Sequence, residues 1–145
     1  MRPQAAVAVL LLGAAEAQAG PASDAVRLFY EKPGLELTPE ARNLFIDPAR
    51  RVLLMDEEIR KGGEEGCLDP ALPFDDADYD LARVLSTLKL SEALDGDRAV
   101  VTAGFETDEG TARVEWRLRK IGAVWKVSDL ISQTKDWALS QFNCE

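Results

Sequence analysis

The chain has 145 residues with 17 basic and 26 acidic side chains, which gives a formal net charge of −9. This balance disfavours nucleic acids and anionic membrane surfaces as partners, whereas a basic protein would be attracted. The sequence contains no histidine. It therefore lacks the most common general base and metal ligand, and we predict neither a metal centre nor a cofactor.

Residues 1–19 have the pattern of a secretory signal peptide. Arg2 supplies a positive start, the apolar run 5–15 is too short to span a bilayer, and Ala17-Gln18-Ala19 is a suitable cleavage site. The alternative is a buried N-terminal helix, but the run is apolar on every side and ends in small residues. We expect residues 20–145 to form a single domain in the periplasm or outside the cell. No cysteine follows the apolar run, so we expect no lipid anchor and no membrane attachment after cleavage.

Cys67 and Cys144 are the two cysteines of the sequence. In an exported protein such a pair is most simply a disulfide. A reactive thiol with a resolving partner is one alternative, but no Cys-x-x-Cys spacing supports it. Metal binding by two thiols without histidine is another.

Three helical segments are predicted before the first strand. Ser23 or Asp24 is expected to cap a first helix, which ends before Pro33. Thr38-Pro39 begins a second segment, because proline is favoured at the first helical position. Asp47-Pro48 repeats this device and begins a longer amphipathic helix that ends at a pair of glycines.

The segment 64–80 is rich in glycine, proline and aspartate and is predicted to form a long surface loop. Three carboxylates alternate from Asp76, as they do at the start of a calcium-binding loop. Leu81 and Thr87 stand where that motif requires glycine and glutamate, so the resemblance fails. A solvated cluster that caps neighbouring helices is the simpler interpretation.

The segment 84–94 fits both a helical and an alternating pattern. An Asp-Gly turn follows it, at residues 95–97, and precedes a second β-compatible run. Because such a turn between two β-compatible runs favours a hairpin, we predict that 84–94 is a strand paired with 98–106.

Three consecutive antiparallel strands are predicted over 98–106, 112–119 and 125–131. Apolar and polar residues alternate in each, which is typical of strands with one dry face, and glycines supply the turns. Helices followed by such a meander indicate an α+β fold, with N-terminal helices packed on a curved antiparallel sheet of about four strands.

Four short segments carry a resemblance to known proteins: Ala25–Tyr30, the loop from Cys67-Leu68-Asp69 to Asp78-Tyr79-Asp80, Asp95–Val101 and Trp125–Leu130. With them the chain resembles the nuclear transport factor 2-like superfamily, a cone-shaped α+β fold. Within it, the chain is most similar to an exported bacterial family of unknown function, some members of which are immunity proteins against type VI secreted amidases.

The resemblance implies a cone whose mouth is lined by aromatic side chains and a carboxyl, as ligand sites often are. If alternation holds along the last strand, Asp129 lies on its dry face and is either held neutral or satisfied by a backbone or arginine donor. Superfamily enzymes such as ketosteroid isomerase use a pocket aspartate with tyrosine or histidine partners, but this chain has no histidine. The candidate pocket residues are Tyr30, Tyr79, Phe105, Trp116, Trp125 and Asp129.

Three functions follow from these observations. The first is an exported, non-enzymatic module that binds a small apolar ligand or a protein. The second is an immunity protein that blocks a basic peptidoglycan amidase, with the acidic loop 64–80 inserted into the amidase. The third is a small pocket enzyme that uses Asp129 as acid or base. The residues favour a non-enzymatic role.

Overall fold

The structure, a computed structural model, describes residues 20–69 and 71–144. The predicted signal peptide, residues 1–19, lies outside the described residues. Within them, three α-helices, joined by short 3-10 turns, precede an antiparallel sheet. The helices are α1 (Pro21–Glu31), α2 (Ala49–Lys61) and α3 (Leu81–Thr87), and the strands are β1 (Lys89–Asp95), β2 (Arg98–Thr107), β3 (Gly110–Ile121), β4 (Val124–Ser132) and β5 (Trp137–Ala138).

The strands form one antiparallel sheet in chain order, so each strand pairs with the next. The predicted α+β class and the meander of β2, β3 and β4 are confirmed. The sheet has a fifth strand because the C-terminal segment adds β5 beside β4. Helix α1 lies against β1, β2 and β4. We call the sheet face that it covers the inner face and the opposite face the outer face.

The core lies between α1 and the inner face, and aromatic rings fill its centre. Trp116 and Tyr30 are fully buried, and the indole Nε1 donates a hydrogen bond to the phenol oxygen at 3.0 Å. Burial raises the pKa of Tyr30 far above its ordinary value, so the phenol stays neutral. Phe29 packs on Trp116 with ring centroids 5.0 Å apart. Burying three large rings stabilises the fold, since each removes a large apolar area from water.

The prediction of a strand over 84–94 is wrong in its first half, where the chain is helical up to Thr87. Asp80 caps α3, because its carboxylate accepts a hydrogen bond from the backbone N–H of Arg83 at 3.2 Å. The capping role expected of the acidic cluster is thereby confirmed. The hairpin itself is present, with Asp95 opposite Arg98. The segment fits both the helical and the alternating pattern because it contains the end of α3 followed directly by β1.

Helix α1 begins earlier than predicted, and its cap comes from the sheet. Ser23 lies inside the first turn, where its backbone N–H and its hydroxyl donate to the carboxylate of Glu92 at 2.7 and 2.9 Å. Glu92 is buried on β1. The expectation that Ser23 or Asp24 caps the helix is therefore wrong, because a distant carboxylate satisfies the first-turn N–H instead.

The alternation predicted along the last strand is interrupted by a β-bulge. Val127 lies opposite Leu118, but Asp129 lies opposite Arg117, and the register shifts between them. Residues opposite one another on neighbouring strands share a face. Asp129 therefore points toward the outer face, and its predicted place on the inner face is wrong. It is nevertheless buried, and backbone N–H groups satisfy its carboxylate, which was one of the two expected outcomes.

Within the described residues, no helix has the length and apolar character that crossing a bilayer requires.

Candidate functional site

The structure brings together three of the six predicted pocket residues. Tyr30, Phe105 and Trp116 are buried in mutual reach, with Tyr30 5.8 Å from the ring of Phe105 and 5.9 Å from that of Trp116. Tyr79 joins them only through Phe74, on which it stacks at 4.0 Å. These rings pack against one another, and their role in binding a ligand stays a prediction.

The other two candidates are not in contact with these rings in the same way. Trp125 is half-buried near the start of β4 and packs against the rim of the hydrophobic core. The Asp129 carboxylate accepts hydrogen bonds from the backbone N–H of Leu130 and of Ser140, both at 2.9 Å, and from the Ser140 hydroxyl at 2.6 Å. Asp129 therefore holds the C-terminal 3-10 turn (139–141) against the sheet. Its use as an acid or base stays a prediction.

The acidic loop 64–80 contains seven carboxylates and neither lysine nor arginine. Its beginning is fixed by the predicted disulfide between Cys67 and Cys144, which the structure confirms. Asp56 of α2 accepts a hydrogen bond from the N–H of Leu68 at 3.0 Å, and Arg60 donates to the Leu68 carbonyl at 2.9 Å. The loop is therefore held by one covalent bond and by an ion pair, since Arg60 also contacts Asp56 at 2.7 Å.

The middle of the loop is anchored by a buried aspartate. Asp75 has a left-handed backbone conformation with φ of 58°. Its carboxylate accepts hydrogen bonds from the Ser132 hydroxyl at 2.8 Å and from Trp137 Nε1 at 2.9 Å. The preceding Leu72 and Phe74 are buried in the core. Because Asp75 is tied to β4 and β5 and the residues before it lie in the core, the loop is pre-organised.

Three carboxylates of the loop and one of the β2–β3 turn form a surface that we call the acidic edge. A cleft of about 280 Å³ is lined by Asp69, Asp76 and Lys135, and a neighbouring cleft of about 130 Å³ is lined by Asp76 and Glu109. Asp78 is exposed beside Asp76, whose carboxylate accepts its backbone N–H at 2.9 Å. The acidic edge thus consists of Asp69, Asp76, Asp78 and Glu109.

Within the described residues, no group of three or more potential metal ligands comes together. Two of the alternating aspartates of the loop accept hydrogen bonds from the backbone instead. Asp76 closes a turn onto Asp78, and Asp80 caps α3. Both carboxylates thus make local backbone hydrogen bonds.

A buried carboxyl lies behind the loop. Glu36 is 4% exposed, and neither of its carboxylate oxygens has a hydrogen-bond partner among the described residues. Desolvation raises the pKa of Glu36 from 4.5 to about 7, and the negative charge of Asp69 acts in the same direction. Glu36 lines a small cavity with Arg42 and Glu57, which form an ion pair with each other. Glu36 itself forms no ion pair within the described residues.

Sequence reasoning missed Asp75 and Glu36. Asp75 lies in a run of aspartates in which each residue looks equally solvated, although Asp75 is buried and its neighbour Asp78 is exposed. Glu36 stands between two leucines, an alternation that predicts a solvent-facing side chain. The sequence signals Asp75 only through the length of the loop, and the prediction of a functional surface loop over 64–80 already rests on that length.

Comparison with known proteins adds evidence on the fold. No model of a known protein family matches the chain, and no curated protein sequence matches it significantly. Among solved structures, the chain is similar to one chain of the crystal structure of the type VI native effector-immunity complex Tae3-Tai3 from Ralstonia pickettii. The TM-score is 0.55 and the identity 17%, over 87% of this chain and 100% of that chain. This likeness shows a shared α+β fold.

Proposed function

We propose that this protein is an exported immunity protein that binds a basic secreted effector and blocks it. The observation that carries the proposal is the shared fold with a chain of an effector-immunity complex over 87% of the present chain. The disulfide supports export, because disulfides persist in oxidising compartments such as the periplasm. The helices and meander are also those expected of a nuclear transport factor 2-like fold, to which we assign the chain.

The acidic edge is the surface through which the protein would bind the effector. Three of its four carboxylates project from a loop that the disulfide, Asp56 and Asp75 hold in place, and the fourth, Glu109, lies in the turn between β2 and β3. A pre-organised loop loses little conformational entropy on binding, and carboxylates that are already positioned steer a cationic partner toward it. The formal net charge of −9 acts in the same direction at longer range.

The target we propose is a peptidoglycan amidase, in line with the family that the sequence resembles. Binding of the acidic edge at the substrate cleft would exclude peptidoglycan without any chemistry by the inhibitor. The aromatic core does not take part in this function, since its rings are buried between helix and sheet.

The test is capture of the effector with the mature protein as bait, using cells of the natural source. We expect a cationic, secreted peptidoglycan hydrolase to co-purify and to lose activity on isolated cell walls when one equivalent of the protein is added. The variant Asp78→Lys/Glu109→Lys should reduce both capture and inhibition, because both side chains are exposed in the acidic edge.

The matched control is Glu31→Lys/Glu40→Lys, which changes the net charge equally on exposed positions of the N-terminal region. It should retain inhibition. If a captured hydrolase keeps full activity in the presence of excess wild-type protein, or if the two variants behave alike, the proposal is wrong.

A further inference from the structure

The outer face of the sheet is positively charged, although the chain is acidic overall. Residues opposite one another on neighbouring strands share a face, so the strand register identifies which side chains project there. Six of the 17 basic residues of the chain do so, and four carboxylates share the face, those of Asp95, Glu106, Glu115 and Asp129, so the net formal charge of the face is +2 (6 minus 4). The six basic residues are Lys89, Arg98, Arg113, Arg117, Arg119 and Lys126.

Some of these charges are placed against one another. Arg119 lies opposite Arg98 on one side and opposite Lys126 on the other. Like charges directly opposite one another destabilise an antiparallel pair. Asp97 forms a long ion pair with Arg119 at 3.9 Å, and Asp95 lies opposite Arg98 on the other side. The row of Arg98, Arg119 and Lys126 does not stabilise the sheet, and it leaves positive potential on the outer face.

A groove crosses the other end of this face, over Gly104. Gly104 pairs with Lys89 on β1 and with Arg113 on β3, so the two cations flank a position without a side chain. A Cβ added at Gly104 would meet nothing closer than the Ala112 carbonyl oxygen at 4.0 Å. The groove has a volume of about 890 Å³ and is lined by the hydroxyl groups of Ser91 and Thr102. Glu106 also lines it, but its carboxylate accepts a hydrogen bond from the Thr111 hydroxyl at 2.7 Å, so the groove keeps one net positive charge.

The two cations of the groove are free to bind. Within residues 20–69 and 71–144, neither Lys89 nor Arg113 forms an ion pair. Both side chains are exposed. Two strand spacings separate their Cα atoms by about 10 Å.

We propose that this groove binds an acidic polypeptide segment of a partner protein, in extended conformation, with one carboxylate at Lys89 and another at Arg113. The separation of the cations favours two spaced carboxylates over a single phosphate group, which would be bound best by converging donors. The hydroxyl groups between them suit the main-chain groups of the segment. The acidic edge has the opposite charge, so this inference does not depend on the proposed function.

The probe is a fluorescein-labelled oligoglutamate peptide, titrated with the mature, disulfide-bonded protein at low ionic strength. We expect binding that weakens with added salt, because the contacts are solvent-exposed ion pairs. The variant Lys89→Glu/Arg113→Glu should weaken it about tenfold or more, since each attraction becomes a repulsion. Gly104→Tyr should also abolish binding, because its ring fills the groove in a strand position that tolerates tyrosine.

The matched controls are Arg50→Glu/Arg51→Glu, which changes the net charge equally at exposed positions of α2, and Leu94→Tyr, which adds a ring at an exposed position of β1. Both should bind like the wild type. Amide chemical shifts of the wild-type protein should move around 86–91, 102–106 and 111–113, a readout that requires no variant.

Four results would overturn the inference. They are no binding of oligoglutamate at low ionic strength, equal weakening by the α2 control, shift changes elsewhere on the molecule, and binding of inorganic phosphate or of phosphatidylglycerol vesicles without oligoglutamate binding. An oligolysine peptide should bind the acidic edge instead. Binding of oligolysine tests the proposed function separately from binding of oligoglutamate, so either proposal can fail while the other holds.

Discussion

Replacement of Glu36 by glutamine should stabilise the protein in a strictly pH-dependent manner. The carboxyl is buried, its oxygens have no partner among the described residues, and its pKa in the folded protein is raised from 4.5 to about 7. Below about pH 4.5 the carboxyl is protonated in both states, so it costs nothing. As the pH rises from there toward 7, the unfolded chain releases the proton while the folded chain retains it, and stability falls.

The size of the effect follows from the pKa difference. A difference of 2.5 pKa units between folded and unfolded states corresponds to about 3 kcal/mol at full ionisation, at 1.36 kcal/mol per unit. The wild type should therefore lose about this amount between about pH 4 and about pH 8 through Glu36 alone. Glu36→Gln removes that loss, which for a domain of this size corresponds to a melting temperature higher by roughly 10 °C at the upper pH.

The assay is urea denaturation of the disulfide-bonded wild type and variant at about pH 4 and at about pH 8. The two proteins should have nearly equal stability at the lower pH, and the variant should be more stable at the higher pH. Glu40→Gln is the control, because Glu40 is exposed and should show no such difference. A gain that is the same at both pH values, or no gain at the higher pH, would refute the reasoning.

The remaining predictions concern the core, the disulfide and Asp129. Reduction of Cys67–Cys144 should lower the melting temperature by several degrees, because the bond closes a loop of 77 positions and contributes roughly 3 to 5 kcal/mol; two free thiols in the mature exported protein would contradict it. Trp116→Ala should cost roughly 3 to 5 kcal/mol in denaturant unfolding, since the ring is fully buried, and a loss below about 1 kcal/mol would show that it lines an open site. Asp129→Asn should destabilise the protein by about 1 to 3 kcal/mol through its bonds to Ser140 and leave any turnover unchanged. Loss of a turnover that the wild type shows would instead support the enzyme prediction.

Local patterns in the sequence predicted most of the fold. The alternation over 98–131 and the glycines in its turns give β2, β3 and β4, because a strand with one dry face imposes a period of two that depends on no distant residue. The pair Cys67 and Cys144 predicted the disulfide for a similar reason, since two cysteines in an exported chain leave one simple pairing. The acidic composition of the loop also lies in the sequence itself.

Tertiary contacts decided the rest. The cap of α1 is Glu92, 69 positions away from Ser23, and a bulge turns Asp129 to the outer face, so neither is visible in a local pattern. The burial of Asp75 and Glu36 depends on which elements pack over them. Likewise, Lys89 and Arg113 become neighbours across Gly104 only when three strands pair in register. Composition and periodicity are properties of the chain, whereas the environment of a charged group is set by residues that folding brings to it.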